Sequence, residues 1–144
     1  MGGVSAVVRG RVAVAGTGAG RALVTNEPLS FWGGVDPRTG EIIDRHHPLR
    51  GECLTGRVLV LPHGRGSCSA SGVLLEAIVG GTGPAAILTT RLDPILGLGS
   101  ILADELHGLT VPVVVLDSDD AACIRAGDEI AVEADGTIRI GAAG

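Results

Sequence analysis

The sequence predicts a mixed α/β fold, and three observations carry that expectation. Its middle third alternates β-branched runs with helical stretches, both ends hold short strand-type runs, and no linker, repeat or low-complexity block divides it. At 144 residues this is one domain, residues 1–144, long enough to bury a core without disulfide or metal staples.

In chain order, Ser5 to Val14 and Arg21 to Asn26 read as strands, with Gly16 to Gly20 as a flexible turn between them. Glu27 to Gly51 follows, rich in proline and glycine and carrying both aromatics. A connection that long without its own periodicity is expected to be functional or disordered. Arg57 to Leu61 reads as a buried strand, Val73 to Val79 as a helix ended by Gly80 and Gly81, and Ala85 to Thr89 as another strand. Pro94 to Leu106 is a helix closed by Gly108, and Val111 to Leu116 is a β-branched strand covered on both faces. Ile124 to Ile140 reads as a hairpin, with Asp135 and Gly136 as its two-residue turn, and Gly141 to Gly144 is a tail.

Composition removes several classes of function. Hydrophobic residues are 45% and charged residues 19% of the chain, as in globular proteins and not in disordered ones. One Phe, one Trp, no Tyr and a net charge of -5 argue against a stacking surface for single-stranded nucleic acid. All eleven basic residues are arginine, a bias ascribed to a GC-rich bacterial genome. Apolar stretches are interrupted well short of the roughly 20 residues a spanning helix needs. Met1 to Val8 has no basic start followed by an apolar run, so a cytoplasmic location is expected. Cys53, Cys68 and Cys123 are odd in number and far apart, unlike a zinc or redox motif. Cys53 and Cys123 are expected to be small buried hydrophobes, and Cys68 a bystander.

The segment with the most chemistry is the junction between the Arg57 to Leu61 strand and the helix after it: His63, Gly64, Arg65, Gly66, Ser67, Cys68, Ser69, Ala70, Ser71, Gly72. Glycines let backbone N–H groups approach a ligand, the free donors of a helix start favour an anion, and Arg65 adds a forked cation. The spacing matches neither a P-loop nor a dinucleotide fingerprint. A hydroxyl held there can act as a base if its alkoxide is stabilised by N–H donors, Arg65 and the helix dipole, which points to Ser67. A nucleophilic serine is less supported, since Gly-x-Ser-x-Gly is absent even though His63 is close. The plainer alternative is a tight turn with Ser69 or Ser71 as helix cap.

A second constellation runs from Pro28 through Phe31, Trp32, Gly33, Gly34 and Asp36 to His46, His47 and Pro48. Phe31 and Trp32 are expected to plug the edge of the core. His46 and His47, adjacent in an extended segment, point opposite ways and make a poor metal pair. Asp117, Asp119 and Asp120 follow the last buried strand and are read as solvated loop acids.

Pro28 to Glu76 resembles the small, swivelling domain of the aconitase-X family, hydro-lyases related to aconitase and isopropylmalate isomerase. The match rests on Ser30, Phe31, Trp32, Gly33, Gly34, Val35, Asp36, Thr39, Gly40, His47, Pro48, Gly51, Gly66 and Ser67. The resemblance implies a β/β/α domain with two to three helices that closes over a larger unit, here a separate large subunit. It implies Ser67 as proton acceptor, with Gly64, Arg65, Gly66, Cys68 and Ser69 around the substrate. In aconitases proper a second serine and a carboxylate-gripping arginine come next; here Cys68 and Ser69 stand there, leaving that grip to Arg65 or a partner residue. The family's iron-sulfur cluster belongs to the large subunit and acts as Lewis acid on the leaving hydroxyl, so this chain is expected to hold no metal. The implied substrates are cis-3-hydroxy-L-proline, favoured by the lysine-free composition, or (R)-5-phosphomevalonate. A non-catalytic anion-binding or assembly module is the alternative of another class.

Overall fold

Two four-residue runs, Val58–Leu61 and Ala86–Thr89, are buried along their whole length, as apolar strands are when a parallel sheet is covered on both faces. They belong to a computed structural model that describes residues 4–65 and 69–143. The order is β1 (Val4–Arg9), β2 (Arg11–Val14), β3 (Gly18–Val24), β4 (Val58–Leu61), α1 (Ser69–Val79), β5 (Ala86–Thr89), α2 (Pro94–His107), β6 (Val113–Val115), α3 (Ser118–Ala122), β7 (Glu129–Val132) and β8 (Thr137–Gly141).

Among the described residues the strands hydrogen-bond in the order β1-β8-β7-β3-β4-β5-β6-β2. The central strands β3, β4, β5 and β6 are mutually parallel, and the pairs on either side are antiparallel. Side chains alternate across β4. Leu59 and Leu61 enter one core with Leu74 and Ile78 of α1 and Leu96 of α2, whereas Val58 and Val60 enter a second core with Ile130, Val132, Ile138 and Ile140 of β7 and β8. The result is a helix layer, a parallel sheet and an antiparallel β layer, the β/β/α arrangement expected.

The expected single strand over Ser5 to Val14 is two strands, because the chain changes partners at Gly10. β1 pairs with β8 and β2 with β6, at opposite ends of the strand order, yet one residue joins them. The sheet therefore curls until its two edges meet. Gly10 is required there: a Cβ would lie 2.5 Å from Val114 Cγ1 and 2.6 Å from the Val115 carbonyl oxygen. Gly18 to Gly20 belongs to β3 and not to a turn, since β3 passes so close to the backbone at Ala85 and Gly56 that side chains there would collide. The hairpin turn is longer than the two residues expected. Glu133 N–H donates to Thr137 O and Gly136 N–H to Glu133 O, so the loop is residues 134–136, with Gly136 at φ 92°. α3, absent from the expectation, places Asp119 and Asp120 in its first turn.

α2 begins and ends as its sequence indicates. Pro94 occupies its first turn and Gly108 closes it in the left-handed region at φ 66°. α1 starts at Ser69, four residues before the expected Val73, so Ser69 and Ser71 sit within its first turn.

Leu74 is fully buried between the helix layer and the sheet, whereas Leu98 on α2 is substantially exposed. Leu74→Ala should lower unfolding free energy by about 2–5 kcal/mol, and Leu98→Ala should stay within about 0.5 kcal/mol of wild type. Urea titration measures both, and equal effects would contradict the layer assignment.

Candidate functional site

The end of β4 delivers the junction to the carboxyl edge of the parallel strands, where ligand crevices of α/β sheets open. Three tethers hold its described part. Thr90, just beyond β5, donates its N–H to Pro62 O at 3.2 Å. Arg65 N–H donates to Leu29 O at 3.0 Å, and Leu29 and Gly64 form an isolated parallel bridge. Gly64 N–H donates to Asp93 Oδ2 at 2.5 Å.

Asp93 is the residue that sequence reasoning missed. It is buried, and while Oδ2 takes the Gly64 N–H, Oδ1 accepts from Ile95 N at 3.0 Å and Leu96 N at 3.1 Å, capping α2. An aspartate before proline at a helix start is a capping signal that could have been read. Its second bond, to a residue 29 positions away, has no local signature.

Of the expected site residues, Gly64, Arg65 and Ser69 are described; Gly66, Ser67 and Cys68 lie outside the described residues. Arg65 is exposed, with no carboxylate paired to it among the described residues. His63 Nδ1 lies 2.5 Å from Gly64 O, and because a carbonyl only accepts, Nδ1 carries the proton. That tautomer leaves Nε2 as the ring's proton acceptor, so the bond orients His63 without removing its capacity to act as a base.

The excursion before β4 is ordered and packed. Leu29, Phe31, Val35, Ile42 and Leu54 join the helix-side core. Phe31 is the expected plug, but Trp32 is not, being 65% exposed. The pair lies in a turn, with Val35 N–H donating to Phe31 O at 3.2 Å, and only Phe31 enters the core. The histidines separate in the same manner: His46 is exposed, and His47 is buried with Nδ1 accepting from Leu49 N at 3.0 Å.

Cys53 and Cys123 are exposed, correcting the expectation that both are buried. Each sits beside polar neighbours, Cys53 in an isolated bridge with Glu41 and next to Thr39 O and Thr55 Oγ1, and Cys123 at the end of α3 next to Asp119 O. Among the described residues no three His, Cys, Asp or Glu side chains converge as a metal-holding group.

Two concavities adjoin along the carboxyl edge and share Thr90. One, of about 410 Å³, is lined by Thr25, Asn26, Pro62 and the α3 residues Ala121 and Ala122; the other, of about 350 Å³, by Arg9, Arg11, Arg91 and Asp117. Gly64 and Arg65 line neither; Arg65 is exposed, whereas Gly64 is half-buried against Asp93 and Leu96.

A family model for the aconitase X swivel domain matches residues 7–140. The chain belongs to that family. It is 57% identical over 106 residues to cis-3-hydroxy-L-proline dehydratase of Pseudomonas aeruginosa, covering 74% of this chain and 18% of that protein. The chain thus spans under a fifth of that curated relative's length. It is 42% identical over 131 residues to the phosphomevalonate dehydratase small subunit of Methanothermobacter thermautotrophicus, covering 90% of this chain and 95% of the relative. Among solved structures it superposes on Thermococcus kodakaraensis aconitase X in its holo-form with a TM-score of 0.83 and 33% identity, over 94% of this chain and 98% of that one. No helix among the described residues is long and apolar enough to cross a membrane.

Asp36, in the loop on which the resemblance to this family rests, accepts the Arg38 backbone N–H at 2.9 Å. That bond, with a smaller contribution from the Arg38 guanidinium, holds its carboxyl below the ordinary 3.8. A depressed carboxyl stabilises the fold fully above its unfolded pKa, and the contribution is lost as pH falls through the lower folded value. Asp36→Asn should therefore melt below wild type at neutral pH, with the gap closing as pH falls below about 4. Melting curves across that range check it, and a gap that widens on acidification would contradict the assignment.

Proposed function

We propose that this chain is the swivel component of an aconitase-X-type hydro-lyase that dehydrates a small hydroxy acid. Cis-3-hydroxy-L-proline is the favoured substrate, and the 57% identity over 106 residues to a cis-3-hydroxy-L-proline dehydratase is the observation that carries it. The role proposed for Ser67 is proton acceptor. Arg65, exposed beside it in sequence, and the start of α1 supply positive potential that favours the alkoxide. Gly64, Gly66, Cys68 and Ser69 complete the substrate-facing loop.

The iron-sulfur cluster expected of the family finds no set of ligands among the described residues, since Cys53 and Cys123 stand apart on the surface. Its proposed place is a large, cluster-bearing subunit. The exposure of Arg65 supports that reading, because a guanidinium meant to act on substrate in a dry site needs another body to exclude water. The small-subunit names of the phosphomevalonate dehydratase relatives support it too.

A second reading, the small subunit of (R)-5-phosphomevalonate dehydratase, is favoured by the 42% identity that runs over 131 residues. Assaying the chain reconstituted with its large partner on both substrates separates the two. Turnover of hydroxyproline and not of phosphomevalonate is the expected result, and the reverse would transfer the assignment. In the same complex Ser67→Ala should lower kcat by about 100-fold or more, the usual cost of losing a general base. Wild-type turnover would remove Ser67 from the reaction.

A further inference from the structure

Asp93 joins two elements that share no sequence neighbourhood. Its carboxylate is buried, has no cationic partner among the described residues, and accepts three backbone N–H groups. Two come from the first turn of α2 and one from Gly64, three positions before Ser67. Helix capping alone needs one acceptor oxygen, which serine, threonine or asparagine would provide. The second oxygen is used solely on the junction. The packing is close on the other side too: a Cβ on Gly64 would lie 3.0 Å from Asp93 Oδ2 and 3.2 Å from Leu96 Cγ, so a side chain there would crowd both.

We infer that Asp93 is a positioning residue for the reaction, a carboxylate clamp that fixes the backbone at Gly64 against the α2 N-terminus and thereby sets where the junction serine is held. The inference rests on the proton-acceptor reading of Ser67. A base acts only within hydrogen-bond reach of the proton it removes, and an error of about 1 Å in its placement can cost on the order of 100-fold in rate. The Arg65 N–H on Leu29 O and the Gly64 N–H on Asp93 tie consecutive residues to different elements, so the backbone at residues 64 and 65 is held from two directions. Among the described residues no other side chain outside the junction takes a backbone N–H of residues 63–65.

The variant that isolates the clamp is Asp93→Ser, which keeps one oxygen to cap α2 but is too short to reach Gly64 as well. In the reconstituted complex its kcat should fall about 10- to 100-fold while KM changes by less than about threefold. Asp93→Asn should behave similarly, because one amide oxygen cannot serve both the cap and Gly64 however the group is turned. A structural readout accompanies the kinetics. In the isolated full-length chain, the Gly64 amide of Asp93→Ser should shift and exchange faster, with the Ile95 and Leu96 amides still protected. Loss of protection at all three amides together would mean that the variant has lost its cap, and Asp93→Asn then supplies the comparison.

The inference is overturned if kcat stays within about twofold of wild type while Ser67→Ala remains impaired, or if the Gly64 amide does not respond. It is also overturned if the losses from Asp93→Ser and Ser67→Ala multiply in the double variant, since a residue acting through Ser67 adds little once Ser67 is gone. Wild-type turnover by Ser67→Ala is a different result: it removes the proton-acceptor reading itself.

Discussion

The fold depends on β4 being buried on both faces. With Leu59 and Leu61 in the helix-side core and Val58 and Val60 in the core beneath, a shift of one residue would send every side chain of the strand to the wrong layer. That penalty locks the register of β4 against β3 and β5 and so fixes the point at which the chain leaves the sheet. The bonds that hold Pro62, Gly64 and Arg65 presuppose this exit. Residues 62 to 65 are placed as they are because the apolar strand before them has a single way to pack.

The excursion from Glu27 to Leu54 supports the junction from the other side. Its apolar residues fill the same core as α1 and α2, and Leu29 brings its backbone alongside Gly64. The loop residues on which the resemblance to the aconitase-X family rests are thus tied to the junction by packing and by main-chain bonds. Their contribution to the proposed reaction is to hold the loop's geometry, while the chemistry is assigned to groups at the junction. The carboxyl ends of the parallel strands β4, β5 and β6 align on the face to which the proposed site is assigned.

Much of this was legible in the residues. β4, β5 and α2 follow from apolar runs, from Pro94 and Gly108, and from strand and helix lengths that leave little choice. What escaped is nonlocal. Gly10 reads as one glycine in a strand until its neighbours across the barrel-like closure are known, and Gly18 to Gly20 reads as a turn until the approach of Ala85 and Gly56 is seen. Cys53 and Cys123 were assigned by the average behaviour of their type, which says nothing about the polar neighbours beside them. Asp93 shows the limit most clearly. Its capping oxygen is a local matter and readable, whereas the oxygen that reaches Gly64 belongs to the tertiary structure alone.

Trp32 turns outward beside a buried Phe31, in the loop whose backbone touches the junction. It is the sole tryptophan of a chain that has no tyrosine. Near-ultraviolet emission from this protein therefore comes from one indole at one place, without the averaging that complicates most spectra. The molecule carries its own optical reporter next to the loop that matters, and a second polypeptide settling over that loop would announce itself in the colour of the light.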